Sequence, residues 1–399
     1  MSEDMTHYDV VIVGGAMAGA TLALALQQMT KGALSIAVIE AFEPNIDKHP
    51  GYDSRSIALS SGTTQLLKDV SLWSEIEPVA TPIHHIHVSD RHHAGITELT
   101  SAELNIDSLG YVVELADVGR FYHQKLLATD NINFICPVTV VNIERLLASS
   151  IIHLSNGEAI STSLVVAADG AESQTCKSMQ IEAQEYNFEQ VAIIANVTTE
   201  CHPQGKAFER FTENGPLALL PMSQGRSSLV WCVSPEEAER ISSFDDKAFL
   251  ARLQIAFGWR LGVMKKAGKR AHYPLWLRHQ TQHVSHRFAA IGNAAQTLHP
   301  IAGQGFNLGI RDVFSLAECI SDAFRDNVDV GDYSVLSRYQ QRRQSDQKQT
   351  ITMTAGLISI FANNVFPMVV GRNMSLYAVD IFRSFLKPLT LRAMGRVNR

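Results

Sequence analysis

The sequence predicts an α/β chain: a Rossmann-type nucleotide-binding domain interrupted by an inserted antiparallel-sheet lobe, with a helical C-terminus. Three observations carry this. A strand, a glycine turn, a helix and a second strand follow one another within the first 40 residues. Short β-rich runs crowd the middle of the chain, and near residue 290 the pattern returns to strand, glycine-rich loop and helix.

Tyr8–Val13 is short, β-branched and followed by glycine, the pattern of a buried parallel strand. Ala18–Met29 consists of good helix formers. Ser35–Ile39 is a second apolar strand ending at Glu40, which completes a βαβ unit. From Pro82 to Val113 the chain is mixed, with alternation at Ile86/Val88 and Tyr111/Val113. A helix is expected over Asp117–Ala128 and a strand over Leu164–Ala168. The runs Val191–Asn196, Ala207–Phe211, Leu217–Leu220 and Ser227–Val233 are closely spaced and separated by turn residues, as in an antiparallel sheet. Glu213 and Asn214 are turn residues before Pro216. Phe288–Ile291 is the returning strand. Residues 1–80, 106–183 and 281–345 are therefore assigned to the nucleotide-binding domain. Residues 81–105 and 184–280 form the substrate lobe, and 346–399 a C-terminal helical segment.

Composition narrows the function classes. The chain has 399 residues, 46% hydrophobic and 19% charged, enough for one large core or two coupled lobes. A formal net charge of −6 argues against a nucleic-acid partner. Cys136, Cys176, Cys201, Cys232 and Cys319 lie far apart without metal or redox spacing, and read as buried free thiols in a reducing cytoplasm. The apolar stretch Val10–Leu26 is punctuated by Gly14, Gly15 and Gly19 and follows no basic segment, so it reads as strand, turn and helix rather than a leader. Leu357–Val370 is broken by Asn363, Asn364 and Pro367, too interrupted to cross a bilayer as one helix. His84, His85, His87, His92 and His93 cluster, but no carboxylate pattern accompanies them and no metal is expected.

The first chemical motif is Gly14-Gly15-Ala16-Met17-Ala18-Gly19. It follows a strand, opens a helix and has Glu40 about 20 residues on, as a dinucleotide fingerprint requires. Small residues there let backbone N–H groups approach a pyrophosphate at the helix N-terminus. Ala16 stands where glycine is usual, costing clearance without forbidding the approach. Glu40 can accept from both ribose hydroxyls and would repel a 2′-phosphate, so NADP is not the nucleotide of this site. The second motif is Asp169-Gly170-Ala171-Glu172-Ser173, directly after a strand. The third is Gly292-Asn293-Ala294-Ala295, continued by His299-Pro300-Ile301-Ala302-Gly303-Gln304-Gly305-Phe306-Asn307-Leu308-Gly309. A helix is expected to begin near Asn307, with amides and its positive end aimed at an anionic ligand.

With these three motifs in this order, the whole chain resembles the single-component flavin aromatic hydroxylases of the 4-hydroxybenzoate hydroxylase fold. Asp53 to Leu59, Gly110 to Glu114 and Glu209-Arg210-Phe211 through Pro221 resemble the ubiquinone-biosynthesis branch. The run Gly292 to Gly309 is most similar to members acting on a polyprenyl methoxyphenol. The resemblance implies FAD as cofactor and NAD(P)H as a transient donor, with no second glycine fingerprint for it. It implies O2 and a lipid-tailed phenol as substrates, and sister ubiquinone-synthesis enzymes as partners. It places the FAD pyrophosphate on Gly14–Gly19 and the adenosine ribose on Glu40. Asp169 and Gly170 would support FAD, and Gly292 and Asn293 would face its ribityl or pyrophosphate region. Gly303, Gln304, Gly305, Phe306 and Asn307 would lie against the flavin pyrimidine. Arg55 would flank the isoalloxazine, Arg120 the pyrophosphate, and His299 and Pro300 the reacting centre; the reaction scheme requires no acid–base pair. Two further departures stand out: Cys176 replaces a frequent arginine, and Asn293 an aspartate. A flavin-binding scaffold subunit, or an epoxidase or prenyl reductase of the same fold, are the alternatives. From Phe382 to Arg399 the sequence is basic and apolar, with Arg383, Lys387, Arg392, Arg396 and Arg399 and no acidic residue. This suits an anionic membrane surface or a partner protein, and equally an ordinary helix covering the FAD lobe. The expected location is cytoplasmic, with peripheral contact at the inner membrane.

Overall fold

The computed structural model describes residues 5–43, 55–91, 95–362 and 395. Asp53, Ser54, His92, His93 and nearly all of the basic C-terminal stretch lie outside the described residues. Strands and helices are numbered along the chain. The first sheet is built on parallel strands β1 (His7–Val13), β2 (Ile36–Ile39), β8 (Ile132–Ile135), β11 (Ala159–Ala167) and β19 (Phe288–Ala290), in the order β19-β11-β1-β2-β8. Their runs VVIV, IAVI and LVVA are apolar on both faces because both faces are covered. On one face, helices α1 (Met17–Met29), α5 (Leu115–Leu127) and α9 (Gln304–Arg325) close the larger core. A hairpin of β9 (Val140–Arg145) and β10 (Ser150–Leu154) extends β11 antiparallel, and β18 (Val284–Ser285) edges β19.

The second sheet runs β20-β17-β12-β15-β14-β13-β5-β6. Its members are β5 (His85–Asp90), β6 (Ile96–Thr100), β12 (Ala183–Thr199), β13 (Lys206–Thr212), β14 (Gly215–Pro221), β15 (Arg226–Val233), β17 (Ala271–Gln280) and β20 (Gln296–Thr297), with β16 (Met264–Ala267) on β12. Every pairing is antiparallel except β13 with β5. One face packs under α7 (Pro235–Ser242) and α8 (Asp246–Phe257), around Trp231, Phe249 and Phe257. A three-stranded sheet of β3 (Ser56–Ser60), β7 (Gly110–Glu114) and β4 (Thr81–Ile83) lies against the opposite, inner face through Ile83, Val112, Ala207 and Met222.

Helix α10 (Tyr333–Ala362) is fastened to α9 by buried charges. Asp312, at the centre of α9, accepts from Arg343 Nε at 2.7 Å, Gln347 Nε2 at 3.0 Å and Gln296 Nε2 at 2.6 Å. Arg311 and Arg343 both reach Asp346, at 2.8 and 2.7 Å.

Several details depart from the sequence reading. Helix α9 starts at Gln304 rather than near Asn307, because Gly303 takes the left-handed conformation (φ +61°) and turns the chain into the helix early. Strand β12 is 17 residues long, with a break in register between Asn187 and Val191 where Glu189 has φ +54°. Cys201 is exposed and Cys136 only half-buried, so the thiols are not uniformly interior. A carboxylate does stand beside the histidines: Glu98 pairs across from His87 on β6, 3.4 Å from His85 and 4.0 Å from His87. No group of three metal-ligating side chains forms among the described residues.

Candidate active site

The first glycine turn has the close approaches its sequence requires. A Cβ on Gly14 would sit 2.5 Å from the Ala168 carbonyl oxygen, and one on Gly19 only 1.9 Å from that of Gly14. Ala16 is the N-cap of α1 at φ −74°, a conformation open to any residue, so alanine replaces glycine there without strain. Among the described residues no side chain caps the N-terminus of α1. Its first N–H groups are therefore available to an anion, which is what a pyrophosphate needs. Glu40, buried at the end of β2, accepts from the Gly15 N–H at 2.7 Å and the Phe42 N–H at 2.9 Å. Both oxygens are oriented by backbone beside the turn, as a ribose acceptor must be. These features fit an FAD adenosine diphosphate.

Asp169 braces the first turn of α6 (Gln174–Ser178), whose N-cap is Ser173: its Oδ2 accepts from the Thr175 N–H at 3.0 Å and the Thr175 hydroxyl at 2.8 Å, while Ser173 donates to Oδ1. It shapes the turn in which Gly170 has φ +86° and open space on its Cβ side. Cys176 follows in α6, donating to the Ala294 carbonyl at 3.6 Å, its thiol pushed up to about 11 by burial. Gly292 (φ +58°) and Gly309 pack backbone to backbone, since a Cβ on Gly309 would meet Gly292 Cα at 2.9 Å, and a Cβ on Gly292 would meet Ala18 Cβ at 3.0 Å. The third motif is thereby fixed to the first.

Asn307 is consumed by the protein. Its Nδ2 donates to the Ala58 and Gly303 carbonyls at 2.8 and 2.6 Å, and its Oδ1 accepts from the Ser60 N–H and Thr63 hydroxyl at 2.8 and 2.7 Å. It ties α9 to β3 and α2 (Ser61–Asp69) rather than presenting an amide to a ligand. Gln304 is buried in the first turn of α9, and Phe306 packs partly on the main core. Arg120 sits on α5 with over half its side chain exposed and ion-pairs with Asp117 one turn back.

Asn293 is exposed, and its side-chain amide makes no hydrogen bond within the protein among the described residues. Asn293→Asp is expected to lower the two-electron potential of bound FAD by tens of millivolts while leaving FAD bound. A unit charge about 8 Å from the reduced, anionic flavin costs on the order of 2 kcal/mol at an effective dielectric near 20, and ~30 mV corresponds to about 1.4 kcal/mol for a two-electron couple. Redox titration against a reference dye checks this; an equal or higher potential would show that the residue does not act through charge.

The two lobes meet at a second set of residues. The Arg55 guanidinium lies 5.3 Å from the centre of the Tyr273 ring on β17, and its carbonyl accepts from the Leu115 N–H at 2.9 Å. Next to it, the Ser56 hydroxyl donates to Met222 Sδ at 3.6 Å, and Glu114 on β7 pairs with Arg226 on β15 at 2.6 Å. His299 is fully buried, its ring edge-on to Phe188 at 5.1 Å. Burial lowers its pKa to about 4, so the ring is neutral at pH 7. Nδ1 accepts from the Ile301 N–H at 3.3 Å, which leaves the proton on Nε2. Nε2 donates to Gln190 Oε1 at 3.0 Å, and Gln190 donates in turn to the Asn214 carbonyl at 2.9 Å. His299 is thus an interlobe tether, and Pro300 follows it as the cap of the turn Ile301–Gly303. Tyr273, Gln190 and Met222 carry no motif, so only the fold reveals them.

The model of the family described as "FAD binding domain" matches residues 7–354. The ubiquinone hydroxylase UbiL of Rhodospirillum rubrum is 33% identical over 398 residues, covering 98% of this chain and 90% of that protein. The 3-demethoxyubiquinol 3-hydroxylase of Escherichia coli is 32% identical, covering 93% of this chain and 94% of that protein. The p-nitrophenol 4-monooxygenase PnpA of Pseudomonas putida shares the fold at a TM-score of 0.81 and 17% identity, covering 99% of this chain and all of that one. The chain belongs to the FAD binding domain family, with the 4-hydroxybenzoate hydroxylase-like fold, and is an FAD-dependent monooxygenase.

Proposed function

We propose that the protein hydroxylates the ring of a polyprenyl-tailed phenol in ubiquinone synthesis, converting a 2-polyprenyl-6-methoxyphenol to the 1,4-benzoquinol. One observation carries the reading: the inner face of the second sheet, with Ala192, Val230 and Leu275, is apolar and meets the FAD lobe at Arg55–Tyr273 and His299–Phe188. On this reading an aromatic ring lies between that wall and the flavin, where an apolar lining favours a phenol and the exclusion of water protects the oxygen transfer. FAD, reduced by NAD(P)H, supplies the activation of O2 and the oxygen atom delivered to the ring. On this reading the Gly14–Gly19 turn and Glu40 hold the adenosine diphosphate, Asn293 borders the flavin chain, and the Gly303–Asn307 turn backs the pyrimidine. Arg55 and Pro300 border the ring, and His299 positions the loop that carries Pro300. A lipid tail has to be drawn from a membrane or handed over by a sister enzyme, which supports peripheral docking. No helix among the described residues is long and apolar enough to cross a membrane.

A second reading, hydroxylation at another position of a more substituted ring, is favoured by the likeness to the 3-demethoxyubiquinol 3-hydroxylase. Mass spectrometry of the lipid-soluble ring compound that accumulates when this protein is removed separates them. A polyprenyl methoxyphenol is expected; a demethoxylated quinol would select the second reading. Unchanged ubiquinone with no accumulated precursor would sink both.

A further inference from the structure

Glu209 lies midway along β13 on the inner face of the second sheet, in an apolar setting. Its cross-strand partners are Ala218 on β14 and Val88 on β5, and the same row continues through Val230 on β15. Phe208, one residue earlier, points the other way and meets Phe257 of α8 at 5.4 Å. Alternation along the strand therefore turns Glu209 toward the side that carries Val230, Cys232, Phe188 and Tyr273. That is the side on which Arg55 and His299 stand. Glu209 is partly buried without being sealed, and among the described residues makes no hydrogen bond or ion pair. Desolvation, with no opposing charge beside it, raises its pKa to about 7.

Apolar or small neighbours surround it. The Cys232 thiol is diagonal to it across β14 and is held protonated by its own burial. Asp90, the next inward position on β5, is buried beside Phe211 and interacts with Arg210, whose side chain is on the opposite face. The covering three-stranded sheet contributes Ile83 and Val112. Nothing in the packing of the sheet uses the carboxylate, and an unpaired carboxyl among apolar groups is retained at a cost.

Resting on the polyprenyl-phenol reading, we propose that Glu209 is a catalytic residue that accepts the proton of the substrate's phenol hydroxyl. The phenol O–H bond breaks, an O–H bond forms on a Glu209 oxygen, and the electron pair stays on the phenolate, which makes the ring carbons more nucleophilic. After oxygen transfer the ring regains aromaticity by moving its C–H proton to its own oxygen. The proton from Glu209 goes to the second atom of O2, which leaves as water. A base titrating near neutrality matches this task, because it is ionised often enough to act and basic enough to hold the proton.

The test uses the full FAD-loaded chain with a 2-methoxyphenol bearing a short prenyl tail, as wild type, Glu209→Gln and Glu209→Asp. Ultraviolet difference spectra across a pH series read the ionisation of the bound phenol, and product formed per NAD(P)H consumed reads hydroxylation. In the wild type the phenolate band is expected to rise with a midpoint near neutrality. In Glu209→Gln it should vanish over that range, with hydroxylation slowed about 100-fold while FAD content and phenol affinity stay within a few-fold. Glu209→Asp should restore a pH-dependent band. A Gln variant with the wild-type band and a rate within about threefold overturns the role of Glu209 alone. A wild type that binds no phenol overturns the polyprenyl-phenol reading and this inference with it.

Discussion

Replacing Gly19 by valine is expected to give a chain that holds no FAD. Even the first carbon of the new side chain would sit 1.9 Å from the Gly14 carbonyl oxygen and 3.1 Å from Ile12 Cγ2. Both neighbours are fixed: the Gly14 N–H donates to Ile39, and Ile12 is at the centre of the parallel sheet. The first turn of α1 must swing away from β1, and the N–H groups that would face the pyrophosphate swing with it. Gly356→Ala, in α10, is the control, because a Cβ there meets nothing among the described residues within 4 Å. Flavin absorbance per chain after purification measures the outcome. The alanine variant should be as yellow as the wild type and the valine variant colourless. A valine variant retaining stoichiometric FAD would show that the nucleotide is held elsewhere.

The second large effect is expected at Asp312. This fully buried carboxylate takes hydrogen bonds from three side chains on two other segments: Gln296 on β20, and Arg343 and Gln347 on α10. Asp312→Ala leaves Arg343, itself buried, with Asp346 as its remaining carboxylate, which it shares with Arg311. Breaking one side of a buried ion pair typically costs about 3–5 kcal/mol, because the remaining charge is stranded. Chemical denaturation should show a loss of that size, with α10 loosened from α9. Asp312→Asn keeps an acceptor and is expected to lose less. A loss under about 1 kcal/mol in the alanine variant would mean that the cluster is solvated enough to dispense with its centre.

The parts of this protein visible in the sequence are those fixed by local geometry. Gly14, Gly19, Gly303 and Glu40 sit where a turn or a strand end demands them, and spacing alone reveals them. The antiparallel runs between Val191 and Val233 were legible because short β-rich runs at close spacing, with turn residues between them, mark an antiparallel sheet. Partnerships across the chain were not legible. Asn307 lies within a ligand-like motif, yet its amide is spent on Ala58, Ser60 and Thr63, some 245 residues away in sequence. His299 is oriented by Gln190, which no pattern singles out. Glu209 was visible as a residue of a family-like run, but its inward direction follows only from the register with Ala218 and Val88. The run beginning at Val191 is only the later part of β12: pairing of Ala183–Asn187 with β17 extends the strand backwards across the break in register at Glu189, which no local pattern marks.

The order in which the strands pair also bears on how the chain folds. The centre of the first sheet joins β1 to β11 and β11 to β19, so His7 meets Ser161 and Val165 meets Phe288. During synthesis the glycine turn and α1 emerge early, while the strand that completes their sheet and the loop that packs Gly292 on Ala18 emerge nearly 280 residues later. Until then the end of β11, Val165–Ala167, lacks its β19 partner, an apolar edge open to wrong pairings. The second sheet can assemble sooner, since β12 to β17 are nearly contiguous, but it too takes β5 and β6 from before the interruption. Such long-range closure makes for slow folding. The FAD pocket is therefore among the last features to form, and free FAD, binding only the closed form, draws the final step forward by mass action.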